Sequence, residues 1–201
     1  MDEVMAPMRT IVVDTREQLP WEFRSPAETM TLKSGDYSLL EEETERALEH
    51  LVAIERKSLS DFLGSITSGR ERFEREMERL HAGCEWPWLI VESTLTQIAA
   101  GEYRSDVSPK AVFGTIESWM SKYKVRWIFS GDRNRAQVVA ESILAMADGG
   151  IKRCQTRNGS SASMFSQSFE SSAGSPHALE MVGCGLMGIA HSMQTRTHLS
   201  R

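Results

Sequence analysis

A chain of 201 residues with only three cysteines leaves little room for a cysteine-based framework. Cys84, Cys154 and Cys184 are widely spaced and form no CxxC pair, so neither a zinc site nor a set of disulfides is indicated. No run approaches the roughly 18 consecutive apolar residues of a membrane helix. Residues 1–9 carry two acids and no apolar stretch, so they do not resemble a secretory signal. These absences predict a protein of a reducing cytoplasm that neither meets a membrane nor is secreted.

An excess of basic side chains is missing as well. The formal net charge is −5, which argues weakly against a nucleic-acid partner because proteins that bind phosphates usually carry basic surfaces. The acidic excess lies within residues 1–150, however, and is partly local, since five glutamates fall between positions 41 and 49. Residues 151–201 carry more basic than acidic side chains. Net charge therefore does not decide the class of partner.

Hydrophobic patterns along residues 9–150 predict one α/β domain. They indicate, in order, a strand, a pair of strands, two helices, a strand, two helices, a strand and a helix. This alternation implies a mixed central sheet flanked by helices. The predicted strands are 10–14, 37–40, 51–55, 86–91 and 125–129, and the predicted helices are 58–66, 70–81, 94–100, 108–122 and 133–147.

The last predicted helix ends at Gly149-Gly150, because glycine commonly follows a helix C-terminus. After it the composition changes. Residues 155–175 consist mostly of Ser, Asn, Gln and Gly, which offer too little apolar surface to offset the entropy of ordering. Residues 151–201 are therefore predicted to form a low-complexity, largely disordered tail.

Acidic side chains fall at the ends of predicted strands, together with one lysine. Asp36 opens the second strand, and Glu55 ends the third, two residues before Lys57. If the strand continues through both, its alternation places Glu55 and Lys57 on one face. Two carboxylates provide the hard oxygen ligands that Mg²⁺ prefers, and a nearby ammonium can orient water or offset phosphate charge. The arrangement suits metal-dependent phosphodiester cleavage, with Mg²⁺ as the expected cofactor and Mn²⁺ as its expected substitute.

Each of these signals has an ordinary structural alternative. A Glu-x-Lys triplet occurs often by chance as a solvated ion pair, and Asp36 on a paired strand strengthens the functional interpretation only in part. Asp14 and Glu17 form a second acidic pair at another strand end, where turn capping is the alternative role. In the loop that follows, Trp21 either packs internally or contacts nucleic acid.

Several separate motifs, all in one order, resemble those of a known family. Asp14-Thr15-Arg16-Glu17 comes first, Gly35-Asp36-Tyr37 follows, and Glu55-Arg56-Lys57 stands four residues before Asp61. Ser68-Gly69-Arg70 supplies a further match. Together these motifs resemble the nuclease domain of the XPF family, which comprises structure-specific endonucleases that cut forks, flaps and bubbles. The resemblance extends over roughly residues 9–147.

The resemblance implies a fold and a role for each matched residue. The fold would be restriction-endonuclease-like, and the activity would be Mg²⁺-dependent cleavage of branched DNA in repair or recombination. Asp36 and Glu55 would bind the metal with the main-chain carbonyl of Arg56, and Lys57 would position or activate the attacking water. The other implied roles are completion of the acidic centre by Asp14 and Glu17, phosphate contact by Arg16 and Arg70, and support by Asp61, which would bond Arg56 or cap a helix. For each of the two phosphate-contacting arginines, a structural salt bridge is an equal alternative.

Substrate choice and assembly stay open at this level. Many members of the family carry a C-terminal pair of helix-hairpin-helix motifs, but residues 151–201 show no convincing pair of Gly-x-Gly hairpins. DNA is the expected partner, in the nucleoid or as viral DNA in an infected cell, and a homodimer or heterodimer through the nuclease domain is compatible with the family. Two alternatives are a nuclease of the same fold without branch preference and a catalytically silent DNA-binding or scaffold subunit. A silent subunit is expected to have lost its acids or its lysine, which are all present here.

Overall fold

The computed structural model describes residues 8–166, and the side chains among them as far as residue 156. Residues 1–159 form one compact unit, and of a second unit, residues 160–201, only the backbone to Ser166 is described. The strands are Ile11–Asp14 (β1), Ala27–Met30 (β2), Tyr37–Glu41 (β3), Arg46–Ala47 (β4), Val52–Ser58 (β5), Trp86–Glu92 (β6) and Arg126–Phe129 (β7). The helices are Leu59–Ile66 (α1), Arg70–Gly83 (α2), Leu95–Ala100 (α3), Pro109–Lys122 (α4) and Arg133–Ser166 (α5).

Seven strands form a mixed sheet in the order β2-β1-β3-β5-β6-β7, with β4 paired to β3. The strand β3 runs antiparallel to both β1 and β5, whereas β6 runs parallel to both β5 and β7. The predicted pair of strands is thereby confirmed, and the pair is antiparallel. In the β3–β5 register Tyr37 lies opposite Ile54, so the preceding residue, Asp36, comes to lie beside Glu55.

Helices cover both faces of this sheet, as the predicted order of elements requires. Side chains of the central strands alternate between the faces, and each face has its own buried cluster. On one face α1, α2 and α4 pack against β5 and β6, and on the other α5 packs against the same strands. The first cluster includes Phe62, Phe73, Leu89, Val91 and Trp119, and the second includes Ile54, Ile90, Ala140 and Leu144.

Side-chain caps begin several helices where the sequence predicts them. A hydroxyl at the N-cap accepts a hydrogen bond from a main-chain N–H of the first turn, which satisfies a group that the helix itself leaves unpaired. Ser58 caps α1, Thr94 caps α3 and Ser108 caps α4, where Pro109 occupies the first helical position. The first residue of the predicted helix 58–66 is therefore the cap of α1.

Two strands were not predicted from the sequence. The strand β2 lies at the edge of the sheet, and three of its four side chains are exposed, so it shows no apolar alternation. The strand β4 is only two residues long and lies within the acidic stretch that was expected to be a loop. Short edge strands of this kind are fixed by pairing with a neighbour rather than by their own hydrophobic pattern.

The predicted end of the last helix at Gly149-Gly150 is wrong, because α5 continues to Ser166. A glycine in a helix interior costs about 1 kcal/mol relative to alanine. Here Ile151 packs against the buried cluster under α5, and Asp148 accepts hydrogen bonds or ion pairs from Arg9 and Lys152 at 2.5 and 2.7 Å. These contacts offset the cost of the two glycines in the helix interior. Residues 151–166, predicted as the start of a largely disordered tail, are helical instead, because α5 runs on through them. The rest of the predicted tail, residues 167–201, lies outside the described residues, and the predicted domain boundary stays a prediction.

Within residues 8–166, no helix is both long and apolar enough to cross a lipid bilayer.

Candidate active site

An open cleft of about 850 Å³ lies between the ends of β1, β3 and β5, the first turns of α1 and one side of α2. Most of the residues predicted to carry chemistry line this cleft. They are Asp14, Arg16, Glu17, Asp36, Glu55, Arg56, Lys57 and Asp61. The fold thus brings together motifs that are spread over almost fifty residues of sequence.

The strand β5 places Glu55 and Lys57 on one face, as the predicted alternation requires. The strand continues to Ser58, beyond its predicted end at Glu55, so both side chains belong to the same regular segment. The Nζ of Lys57 lies 2.7 Å from Oε1 of Glu55. Both side chains are only 12% exposed, so the pair is held inside the cleft wall rather than in bulk solvent.

Asp36 stands next to this pair because of the turn that precedes it. Gly35 has a φ of +77°, and a Cβ added there would lie 3.2 Å from both the Ala53 Cβ and the Ile54 carbonyl oxygen. Only glycine suits that conformation at so close an approach. Oδ2 of Asp36 accepts a hydrogen bond of 2.8 Å from the main-chain N–H of Arg56. This bond fixes one carboxylate oxygen against β5.

Burial raises the pKa of both carboxyl groups at the centre. For Asp36 the nearby charge of Glu55 adds to the effect, and its pKa lies well above the ordinary value. For Glu55 the ammonium of Lys57 opposes the effect of burial without cancelling it. Two neighbouring acids that resist ionisation together are a pair that a bound cation would stabilise.

Lys57 is held by a second acid that the sequence did not single out. Nζ of Lys57 lies 3.3 Å from Oε2 of Glu76 on α2, and 5.0 Å from the centre of the Phe73 ring. Burial alone would lower the pKa of Lys57, but the two glutamates raise it, so the side chain remains a cation. Glu76 follows Phe73 by three residues, which places it beside the apolar face of α2 and could have marked it.

On the other face of β5, Arg56 is enclosed by two carboxylates. Its guanidinium donates to both oxygens of Glu92 at 2.7 and 3.1 Å and lies 3.4 Å from Oε1 of Glu17. All three side chains are 9% exposed. Glu92 was not predicted as a site residue. It is the last residue of β6, which runs parallel to β5, so the C-terminal residues of both strands lie at the same end of the sheet.

Asp14 is buried, and both of its carboxylate oxygens accept hydrogen bonds from residues that follow β1 and β2. Its two oxygens accept from the main-chain N–H, Nε and NH2 of Arg16 and from the main-chain N–H of Leu32, at 2.7 to 3.0 Å. Burial would raise the pKa of Asp14, but these hydrogen bonds outweigh it and lower the pKa. Arg16 is 65% exposed and lines the cleft. The salt bridge that was one alternative for this arginine is therefore present.

Three other residues have structural partners. Asp61 accepts at 2.7 Å from the hydroxyl of Ser58, the residue that caps α1, so its carboxylate supports the cap rather than capping the helix itself. Arg70 pairs with Glu74 at 3.1 Å, stacks on Trp119 with its charge 5.1 Å from the ring, and is not among the residues lining the cleft. Trp21 is 3% exposed, stacks on a neighbouring ring at 4.6 Å and donates its indole N–H to Glu92, so internal packing is its role.

The fit of a metal to this centre follows from its two central carboxylates. Among the described side chains, no three His, Cys, Asp or Glu residues converge as a closed set of metal ligands. Mg²⁺ does not need such a set, because it retains several waters and is commonly bound through one or two carboxylates and a substrate phosphate. Asp36 and Glu55, adjacent and reluctant to ionise together, satisfy that requirement in an open cleft.

A mixed sheet with helices on both faces and a cleft of Asp, Glu and Lys at its centre defines an α/β domain of the nuclease type. The family model of the ERCC4 domain matches residues 13–141, and the chain belongs to that family. The predicted resemblance to the XPF nuclease domain and the predicted fold class are thereby confirmed.

Solved structures agree on the fold. XPF from Aeropyrum pernix matches with a TM-score of 0.53 and 22% identity, over 68% of this chain and 65% of that one. The same protein in complex with DNA matches with a TM-score of 0.50 and 23% identity, over 75% of this chain and 66% of that one. The chain thus covers just under two thirds of each. No curated protein matches it.

Proposed function

We propose that the chain is a DNA endonuclease that hydrolyses phosphodiester bonds with the help of Mg²⁺. The observation that carries the proposal is the convergence of Asp36, Glu55 and Lys57 in one open cleft, with Lys57 Nζ 2.7 Å from Glu55. The ERCC4 domain match and the fold shared with an XPF that is known in complex with DNA add support.

Two carboxylates would hold the metal in this proposal. Asp36 and Glu55 supply hard oxygens, and the family resemblance adds the main-chain carbonyl of Arg56. When bound, the ion would supply acidification of a coordinated water and stabilisation of the charge that develops on phosphate. Asp36 lines the cleft and accepts from the main-chain N–H of Arg56 through Oδ2, so its Oδ1 would be the oxygen offered to the ion.

Lys57 acts as a fixed cation. An ammonium has three donors, and Glu55 and Glu76 occupy two of them, which leaves one N–H for a water or a phosphate oxygen. Because the two glutamates raise the pKa of Lys57, the side chain keeps its proton near neutral pH. Of the two roles that the family resemblance implies, positioning the water is therefore favoured over removing its proton.

Substrate preference is the finer part of the proposal. We propose branched DNA, such as a fork, flap or bubble, on the strength of the family resemblance, with repair or recombination as the setting. A nuclease of the same fold without branch preference is the alternative that the assay separates.

A cleavage assay tests both levels of the proposal. Purified protein is incubated with end-labelled fork, flap, bubble and linear duplex, with Mg²⁺, with Mn²⁺ and with a chelator. Metal-dependent nicking is expected, and Asp36→Asn or Lys57→Ala should reduce it by at least about a hundredfold. Asp106→Asn and Lys124→Ala are the matched controls, because both residues are exposed and outside the cleft.

Two results would count against the proposal. Equal rates on linear and branched DNA would remove the branch preference and leave a general nuclease. Absence of cleavage on every substrate, with DNA affinity intact, would instead identify a silent binding subunit. Sedimentation equilibrium of the same preparation reports whether the chain pairs with itself.

A further inference from the structure

Three cations line the cleft without taking part in its acidic centre. They are Lys33, in the loop before β3, and Arg72 and Arg79, on α2. Lys33 and Arg79 are exposed, and neither makes an ion pair with any side chain that the structure describes. Arg72 is 74% exposed and only approaches Glu76, at 3.6 Å. A surface contact of that kind contributes little to stability, so folding does not explain these three positions.

The helix α2 places Arg72 and Arg79 on either side of the proposed catalytic lysine, Lys57. Arg72, Glu76 and Arg79 follow the i, i+4, i+7 spacing and therefore share one face. Glu76 contacts Lys57, which shows that this face looks onto the acidic centre. With a rise of 1.5 Å per residue, Arg72 lies about 6 Å to one side of Glu76 along the helix, and Arg79 about 4.5 Å to the other.

Lys33 extends this row beyond Arg79. The last residue of α2, Gly83, is close to the loop that contains Lys33, because a Cβ on Gly83 would lie 4.0 Å from Oγ of Ser34. The order along the cleft is therefore Arg72, the catalytic lysine, Arg79 and Lys33. A ligand that satisfies the row must carry several negative charges in a line, with one of them at the acidic centre.

We propose that Lys33, Arg72 and Arg79 form a phosphate track that holds the cleaved DNA strand on both sides of the scissile phosphate. The inference rests on the proposed nuclease function and names how the site grips its substrate. Arg72 contacts the backbone on one side of the cut. Arg79 and Lys33 contact it on the other side. A free phosphate or a single nucleotide would use only part of this row.

Salt dependence of DNA binding measures the track directly. Neutralisation of one phosphate contributes about 0.9 to the slope of log affinity against log salt for duplex DNA and about 0.7 for a single strand. The triple variant K33Q/R72Q/R79Q should therefore reduce the slope by about two to three. Affinity is measured by fluorescence anisotropy in a chelator, so that this arm does not require cleavage.

A control triple separates the track from general charge. R75Q/R104Q/K124Q also replaces two arginines and one lysine, but all three residues are exposed and outside the cleft. Arg75 lies on α2 itself. The control should leave the salt slope almost unchanged, whereas the track variant should also raise KM at least tenfold and lower kcat much less.

Shortened substrates test the two-sided arrangement. Removing the nucleotides on one side of the cut should abolish the effect of R72Q on KM, and removing those on the other side should abolish the effects of R79Q and K33Q. Wild-type cleavage with the track and control variants indistinguishable would overturn the track and leave the nuclease proposal standing. Inorganic phosphate that inhibits the wild type at the same concentration as DNA oligonucleotides would overturn it in favour of a small-anion site. Failure of wild-type cleavage with a reduced salt slope in the track variant would overturn the nuclease proposal alone.

Discussion

Replacing Glu92 by glutamine should destabilise the protein more than any other neutralisation of one glutamate near the cleft. Glu92 holds Arg56 through two short hydrogen bonds, and both side chains are 9% exposed. Glutamine keeps the size of the side chain and an oxygen that can accept from the Trp21 indole, which now donates to Glu92 at 2.9 Å. The substitution therefore removes the charge opposite Arg56 and replaces the oxygen that accepts from its guanidinium at 3.1 Å by an amide donor. It also removes the weaker ion pair of Glu92 with Arg133, at 3.7 Å.

The expected loss of stability follows from the burial of this pair. Removing one partner of a buried ion pair typically costs about 3–5 kcal/mol, because the other charge is left without compensation. Glu17 lies 3.4 Å from Arg56 and retains part of that compensation, so we expect the lower limit, about 3 kcal/mol. At about 2–4 °C per kcal/mol for a unit of this size, this loss corresponds to a fall of roughly 6–12 °C in the midpoint of thermal unfolding.

Chemical denaturation followed by circular dichroism measures this loss for Glu92→Gln. The control is Glu28→Gln on β2, an exposed glutamate far along the sheet from β6, which should change the free energy of unfolding by less than about 0.5 kcal/mol. A loss below about 1 kcal/mol for Glu92→Gln, with an unchanged m value, would refute the reasoning. It would mean that Arg56 is well solvated and that Glu92 does not hold it in place.

Three further outcomes are expected. Burial and the neighbouring charge of Glu55 raise the pKa of Asp36, so the contribution of this carboxyl to the stability of the metal-free protein falls as pH rises above the ordinary value of 3.8. The urea midpoint of Asp36→Asn relative to that of the wild type should therefore increase with pH, and a difference that stays constant would contradict the assignment. Burial raises the pKa of Cys84 to about 11, so alkylation followed by mass spectrometry should modify it only on unfolding. A chain of residues 1–151 should still unfold cooperatively but at least about 1 kcal/mol less stably than residues 1–156. It loses Gln155, which accepts from Arg9 at 2.8 Å, and Lys152, which pairs with Asp148 at 2.7 Å. Equal midpoints would show that this end of α5 adds nothing.

Local signals in the sequence predicted the elements that build the site. Short apolar runs identified β5 and β6, and the hydroxyl caps at Ser58 and Ser108 fixed where α1 and α4 begin. Such signals depend on residues within one turn or one strand, so a single sequence contains them. The spacing of Glu55 and Lys57 also predicted a common face, which the continued strand confirms.

The partners of those residues depend on contacts between distant elements. Glu76 and Glu92 are separated from Lys57 and Arg56 by 19 and 36 positions, and only the packing of α2 and the register of β6 bring them together. The continuation of α5 through two glycines is also a tertiary effect, because Ile151 and Asp148 gain their partners only in the folded chain. No local propensity contains that information.

The acidic net charge argues less strongly against a DNA partner once the positions of the acidic residues in the fold are known. Asp36 precedes the first residue of β3 and Glu41 is its last, so the acidic turn after Glu41 begins about 17 Å from the cleft end of that strand. None of the residues 42–45 lines the cleft. At physiological ionic strength the screening length is about 8 Å, so these charges are largely screened from a DNA strand bound at the acidic centre of the cleft. The electrostatic field at the DNA is set instead by the cleft itself. There, exposed cations flank acids whose ionisation is opposed by burial and whose charge is offset by Lys57.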